Sequence, residues 1–423
     1  MVLDTGANQV NLDLPFADLF KKFGHPDPVA LDLLIVASIC YLVDKTVPRS
    51  AASDGWTREI DLELPVSDPG KWGAVRDDLQ TALRFLTGDA WRLSFRDLGG
   101  VSIYRRPPGL LMDRRRLGLP EAVCLFSGGM DSLLGAIDLL ASSPKRLLLV
   151  GHFDIPGPKS QQEALVSSIN HRFPNRAELI SIRVAHRPSA APELTLRSRS
   201  FLFLALAVYC AKGLGEDTPI FAPENGPIAV NVPLTPARTG SCSTRTMHPF
   251  FLNVIRRCFG GLGFGNAVMN PFELKTKGEC LRQCADTGLA QTLAPLSVSC
   301  SHGTRRKDWV RRTGISNCGY CVPCLFRRAA LNMCGLDVGQ AYGVDVCHDE
   351  LDLASQGKMP DDFRAVLDFL RDNRSREQVA RAISAVAPIP NLTQHADVVW
   401  RGLEEVRLLL ATKGSARVKR AMR

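Results

Sequence analysis

Residues 122–137 read Ala-Val-Cys-Leu-Phe-Ser-Gly-Gly-Met-Asp-Ser-Leu-Leu-Gly-Ala-Ile. Ala122 to Phe126 are apolar and β-favouring, Ser127 to Ser132 form a Gly-rich turn, and a helix-like Leu/Ala/Ile pattern follows. A strand that ends in such a turn and feeds a helix N-terminus is a phosphate cradle. Its glycines let the backbone approach a ligand, and its N–H groups and the helix dipole face the anion. The spacing is not that of a Walker A loop, because no Gly-x4-Gly-Lys-Ser/Thr occurs in the chain. An ordinary Ser/Gly-rich strand-to-helix turn is the reading without a ligand.

Composition bounds what can surround this turn. With 423 residues, 34 of them Gly and 27 Pro, the chain is too long for one core and implies two or three domains. No charged leader with an apolar stretch and cleavage site is evident. The most apolar stretch, Ala30 to Val43, contains Asp32 and is too short to span a bilayer, so a buried helix is expected and no membrane partner. Thirteen cysteines in such a chain point to a reducing, cytoplasmic setting, with metal or buried roles in place of disulfides. A net charge of +9 suits an anionic ligand or partner; it does not choose between a nucleotide and a nucleic acid.

Three consecutive regions are expected. Residues 1–118 suggest a small α+β domain: the Ala30–Val43 helix, a strand in which Ile60, Leu62 and Leu64 alternate with acidic residues, a helix near Trp72–Leu86, and a strand near Trp91–Phe95. Residues 119–345 alternate strands (122–126, 146–150, 179–184, 220–222) with helices (132–141, 161–172, 200–213, 248–259, 277–286), which predicts an α/β fold. Its parallel sheet carries helices on both faces and binds its ligand beyond the strands' carboxyl ends. Residues 346–423 are expected to be helical, at 361–371 and 399–411 for example, with Lys413–Arg423 as a frayed basic tail.

Cys318-Gly-Tyr-Cys321-Val-Pro-Cys324 is a Cys-x2-Cys-x2-Cys run with Cys300 upstream. Four thiolates fix a tetrahedral Zn²⁺, and two-residue gaps let a tight turn bring neighbouring sulfurs to one ion. A closed four-sulfur shell is structural and contributes about 10 kcal/mol or more to local folding. An iron–sulfur cluster is the rival occupant, and His302 is the alternative to Cys300 as fourth ligand. Cys280 and Cys284, at i and i+4, read as a pair of small buried side chains or as a thiol-chemistry pair.

The Ser127-Gly-Gly-Met-Asp-Ser132 stretch resembles the Ser-Gly-Gly-x-Asp-Ser signature of PP-loop ATP pyrophosphatases, which split ATP into AMP and pyrophosphate. Together with the cysteine triplet it is similar to QueC, a zinc-containing family that makes 7-cyano-7-deazaguanine from 7-carboxy-7-deazaguanine, ATP and ammonia. Phe153-Asp154 with Gln162-Glu163, Arg199 to Ala205, and Pro271-Phe with Lys275-Thr-Lys277-Gly-Glu resemble further segments of that family in order. The resemblance spans residues 119–345. Seventeen residues separate Cys300 from Cys318, a longer gap than QueC has. Pro223-Glu-Asn-Gly226 and Arg238–Pro249 replace its Asp-rich segment, and residues 1–118 are additional. These features look more like the QueC-like proteins of anti-phage operons, the QatC and type IV CBASS kind.

The resemblance implies an adenine nucleotide alpha hydrolase-like (PP-loop) fold and roles for particular residues. Ser127, Gly128, Gly129, Asp131, Ser132 and Phe153 would bind ATP, with Asp131 also a candidate Mg²⁺ ligand or a helix cap. Lys277, Arg199 and Arg245 are candidates to neutralise phosphate charge. Glu224 and Asn225 would read a guanine-like edge or make an ordinary turn. Ser243, Thr244 and His248 would meet substrate, or the stretch would cap a helix at Thr246. Cys300, Cys318, Cys321 and Cys324 would hold the metal. The implied reaction activates a deazaguanine carboxylate as an acyl-adenylate and couples it to ammonia or to an amine of a partner protein from the same operon. An RNA-thiolating enzyme and a non-catalytic nucleotide-binding scaffold are the competing classes.

Overall fold

A computed structural model describes residues 2–4, 9–24, 27–99, 119–153, 156–187, 193, 197–234, 245–302, 306–349 and 358–423. The chain forms two compact units, each assembled from separated segments. The first comprises Met1–Ser127, Pro144–Ala222 and Thr244–Asn270; the second comprises Gly128–Ser143, Pro223–Ser243 and Pro271–Arg423. This division differs from three consecutive regions, because residues N-terminal to 100 share a unit with the central strands.

The first unit is built on a parallel sheet flanked by helices. In chain order it contains β1 (Val2–Asp4), β2 (Gln9–Asp13), α1 (Phe16–Phe23), α2 (Pro28–Thr46), β3 (Glu59–Val66), α3 (Pro69–Ala74), α4 (Arg76–Thr87) and β4 (Ala90–Asp97). Strand β5 (Ala122–Leu125) ends this segment, α5 (Met130–Ser142) belongs to the second unit, and β6 (Leu147–Phe153), α6 (Pro156–Arg172), β7 (Ala177–Arg183), β8 (Ala185–Arg187), α7 (Arg199–Leu214) and β9 (Ile220–Phe221) follow. The central sheet has the order β10-β9-β5-β6-β7, where β10 is Val268–Met269, and every pairing in it is parallel. The chain builds outward from β5 to β6 and β7, then returns to the other side of β5 for β9. Such a reversal of strand order is where open α/β sheets take ligands.

The all-apolar β5 and the run Leu147–Val150 are buried throughout, as a sheet covered by helices requires. Helix α7 packs on β5, β6 and β9, and α6 on β6 and β7. Helix α2 begins at Pro28 with Asp27 capping the N–H of Ala30, and it lies along α7 with nearly every side chain buried. The period-two strand expected near residue 60 is β3, and β4 pairs with it in parallel from Glu59↔Ala90 to Val66↔Asp97, the two short helices making the crossover. Two buried carboxylates hold this part of the unit. Asp89 accepts from Arg49 at 2.8 Å and from Arg58 at 2.5 Å, and Asp44 accepts from Arg58 at 2.6 Å and from the Ser198 hydroxyl at 2.7 Å.

The second unit is helical among its described residues. After α5 come α8 (Gly226–Val230), α10 (Lys277–Arg282), α11 (Thr287–Leu293), α12 (Val322–Asn332), α13 (Lys358–Arg371), α14 (Arg376–Ser384), α15 (Leu392–Lys413) and α16 (Ala416–Ala421); α9 (Pro249–Gly261) lies in the first unit. Helix α15 is the spine, packing on α8, α10, α12, α14 and α16. The expected frayed basic tail is instead the capped helix α16. The Ser415 hydroxyl accepts from Val418 N, Ser415 N donates to Cys347 O at 2.9 Å, and Val418 joins the apolar core, so burial of one side chain orders the segment. No helix among the described residues is long and apolar enough to cross a membrane.

Candidate metal centre and anion-binding turn

The second unit brings four cysteines together. Cys318 precedes Gly319, whose φ of +90° is a left-handed conformation; a Cβ there would lie 2.1 Å from the Val344 carbonyl oxygen. The tight turn this permits places Cys321 at the N-cap of α12 and Cys324 on the first turn of that helix. Cys300 arrives from the segment following α11. The four Sγ atoms all lie within 4.8 Å of one another, and Cys318 and Cys324 are 3.7 Å apart. Sulfurs at about 2.3 Å from one tetrahedral ion stand about 3.8 Å from each other, so the spacing fits a single ion such as zinc. It leaves no room for a cluster of several metal atoms.

Backbone N–H groups also point at these sulfurs. Cys318 N and His302 N donate to Cys300 Sγ at 3.3 and 3.4 Å, and Cys321 N donates to Cys318 Sγ at 3.3 Å. Such bonds stabilise thiolates, the form a metal needs. Burial pushes the Cys318 and Cys324 thiols up. Burial opposes ionisation of Cys321 too, yet hydrogen bonds from Cys300, Cys318 and Cys324 outweigh it and hold that thiol well below its ordinary value. Four sulfurs this close, three of them on buried cysteines, suit a single metal cation. Among the described residues Cys300 supplies the fourth sulfur, and His302 instead stacks against Tyr320 with ring centres 5.5 Å apart.

The Gly-rich turn enters the same unit. Ser127 is exposed at the end of the first unit's β5, and the chain passes into the second unit at Gly128. Gly128 has φ +83°, so the turn requires a residue without Cβ at this position. Gly129 is the N-cap of α5. Asp131 lies in the first turn of that helix, and its two carboxylate oxygens are held from opposite sides. Lys277 Nζ donates to Oδ1 at 2.7 Å, and Asn225 Nδ2 donates to Oδ2 at 2.7 Å. The Lys277 side chain is only 3% exposed and that of Asp131 12%. Asp131 therefore does not cap α5; it is one half of a nearly buried ion pair. The Ser132 hydroxyl donates back to Gly129 O at 3.0 Å.

Each partner of Asp131 is itself fixed. Asn225 caps α8 by accepting from Ile228 N, while Glu224, one residue earlier, is half-buried. Lys277 opens α10, which starts with a capping box between Thr276 and Glu279. From α15, the buried Glu405 accepts from the Thr276 hydroxyl and from Gly278 N, and Arg401 pairs with Glu279. A Cβ at residue 278 would fall 2.5 Å from a Glu405 carboxylate oxygen, so glycine there admits the clamp.

One element of the site has no counterpart in the sequence reading. Ser299, next to Cys300, accepts from Met130 N at 3.0 Å through its hydroxyl, and Val298 N donates to Gly128 O at 3.1 Å. The two residues strap the turn to the segment that carries Cys300. The only signal in the sequence is that Ser299 adjoins a ligand.

The remaining expected site residues lie in the first unit or outside the described residues, while Cys280 and Cys284 lie in the second unit. Phe153 ends β6, under Lys159 at 5.8 Å, and Arg199 opens α7 and donates to the ring and carbonyl of His152, both at 3.1 Å. Arg245 and His248 gather on Phe85. Arg245 donates to its carbonyl at 2.9 Å and stacks on its ring at 4.5 Å, and burial holds its guanidinium below the ordinary value. His248, not Thr246, caps α9, its Nδ1 accepting from Phe250 N at 3.2 Å. Asp154, Ser243 and Thr244 fall outside the described residues. Cys280 and Cys284 are 1% and 5% exposed, and burial pushes both thiols up, that of Cys284 to about 11.

Compared with known proteins, the chain matches no protein-family model and no curated protein.

Proposed function

We propose that this chain is an ATP-consuming enzyme of the PP-loop pyrophosphatase type, QueC-like in chemistry, which activates the carboxylate of a 7-carboxy-7-deazaguanine-type substrate and couples it to an amine. The observation that carries this reading is the cluster of Lys277, Asp131 and Asn225 on the first turn of α5, directly after a left-handed Gly128. A helix N-terminus offers N–H groups and a positive dipole end to an anion. A lysine is buried beside it, and a carboxylate stands ready to exchange partners.

In the proposed reaction a carboxylate oxygen of the substrate bonds to the α-phosphorus of ATP, and the bond from that phosphorus to pyrophosphate breaks. An amine then attacks the acyl carbon; AMP leaves with the electron pair of the acyl C–O bond, and the nitrogen loses a proton to water. Gly128, Gly129 and Ser132 would line the pyrophosphate as it leaves, where positioned donors matter most. Lys277 would shift from Asp131 to a phosphate oxygen. The freed carboxylate suits Mg²⁺, which neutralises polyphosphate charge when bound through oxygen ligands. Asn225, fixed by its cap, would keep Asp131 oriented during that exchange. The four cysteines would hold Zn²⁺ in a closed shell with a structural role.

The thiolation reading requires an accessible thiol, and the burial of Cys280 and Cys284 disfavours it. A cytoplasmic setting, which rests on the cysteine usage, and a role in anti-phage defence with a partner protein as amine donor, which rests on the sequence resemblance, are part of the proposal. The test incubates the protein with ATP, Mg²⁺ and 7-carboxy-7-deazaguanine and follows pyrophosphate. Release that depends on the carboxylate and vanishes in Asp131→Ala protein that still unfolds cooperatively supports the enzyme; absence of release in the wild-type protein points to the scaffold. Adding the neighbouring operon proteins and weighing them intact separates a protein acceptor from ammonia.

A further inference from the structure

The strap from the metal-binding segment to the Gly-rich turn does not follow from having four cysteines or a phosphate cradle. A structural ion can sit far from a site and still stabilise the unit. Here, the two residues just before Cys300 each bond to the turn: Val298 N to Gly128 O, and Ser299 Oγ from Met130 N. Two further residues set the strap from the side of the cysteines. Ser299 N donates to Asn317 Oδ1 at 3.0 Å, next to Cys318, and Arg327, on the same helix as Cys324, donates to Ser297 Oγ and to the carbonyls of Ala294 and Pro295. Residues 294–300 are thus tied down by Asn317, which adjoins Cys318, and by Arg327, one turn along α12 from Cys324.

We propose that Ser299 is a positioning residue that couples metal occupancy at the four cysteines to the conformation of the Gly128–Met130 turn. The inference rests on the anion-site reading only for its consequence, tighter nucleotide binding by the metal-loaded protein. With the ion in place, Cys300 is fixed, Ser299 is held one residue away, and its hydroxyl oxygen fixes the Met130 N–H and the first turn of α5. Without the ion, Cys300 loses its anchor and the strap loosens. The hydroxyl also keeps one hydrogen to donate, so the same oxygen that fixes Met130 can point that hydrogen at an anion.

Amide hydrogen exchange over residues 128–134 of the full-length protein tests the coupling without any nucleotide. Removal of the metal from the wild-type protein is expected to speed exchange there about tenfold, the scale of one lost hydrogen bond. Ser299→Ala with its full metal content is expected to exchange equally fast, with α15 unchanged, and Ser299→Thr to behave as wild type. Exchange in the turn that ignores both metal removal and Ser299→Ala overturns the proposal. Titration with ATP then reads the consequence: loaded Ser299→Ala is expected to bind several-fold more weakly. A wild-type protein that binds no ATP, yet shows metal-dependent exchange in the turn, overturns the anion-site reading and leaves the coupling intact.

Discussion

Lys277 donates to Asp131 at 2.7 Å, a pair formed across 146 residues of chain with the lysine almost fully buried. Both charges are largely withdrawn from water, so each depends on the other. Removing one partner of such a pair costs about 3–5 kcal/mol, because the survivor is left uncompensated. Asp131→Ala and Lys277→Met are each expected to lower the urea midpoint markedly, and the double variant to recover part of the loss. A double-mutant cycle of unfolding free energies checks this; strictly additive effects would sink the idea of mutual dependence.

The cysteine cluster predicts one metal ion per chain. Elemental analysis of protein purified without added metal is expected to find about one zinc per molecule, in a colourless solution. Cys318→Ser or a strong chelator is expected to remove it and to lower the melting temperature of the second unit. Iron at several atoms per chain with visible absorption contradicts the four-sulfur spacing.

Gly319 is a non-ligand on which the geometry of that centre depends. An alanine there must both hold φ near +90° and accept a Cβ 2.1 Å from a carbonyl oxygen. The left-handed conformation alone costs about 1–2 kcal/mol, and the collision is with backbone that cannot rotate away. Gly319→Ala is expected to lose metal while retaining all four cysteines. Full metal content in that variant would show that the turn has another route to the same geometry.

Acid stability follows from the carboxylates buried against arginine. Burial opposes ionisation of Asp89 and Asp345, but Arg58 and Arg328 respectively outweigh it and hold both carboxyls below the ordinary 3.8. The unfolded chain therefore binds more protons at these sites. Their stabilisation is present well above 3.8, and it is lost as pH falls from about 5 through 3.8 and on through the lower folded values. Asp345→Asn is expected to be less stable at pH 7 and to have a shallower loss over that window, read from urea midpoints at successive pH values.

Much of the architecture follows from local signals, and the pairings do not. Alternation at Ile60, Leu62 and Leu64 predicts a strand, yet nothing in it says that Trp91 will lie beside Ile60 in a parallel register. The helix expected over 277–286 ends at Arg282 because the Asp286 side chain accepts from Leu289 N and starts a new one. Strand β10 has two residues, too few for any period. In the candidate site, the cysteine spacing and the Ser-Gly-Gly turn are legible because each is contiguous. The roles of Lys277, Asn225 and Ser299 at the head of α5 depend on contacts spanning 146, 94 and 169 residues, which no spacing rule reaches. His248 illustrates the converse: a histidine in a hydroxyl-rich stretch invites a chemical role, and its Nδ1 is occupied as a helix cap.

The Glu405 clamp on α10 has a bearing on biosynthesis. Gly278 must wait for a residue 127 positions further on before its N–H is held. While the ribosome is still making α13 and α14, a nascent chain already carries the Gly-rich turn, the lysine and all four cysteines, but not the carboxylate that seats the lysine's helix. Contacts of such long range form late. A chain stalled or cut before α15 thus carries the Gly-rich turn, Lys277 and the four cysteines, but lacks the carboxylate that holds the start of the lysine's helix.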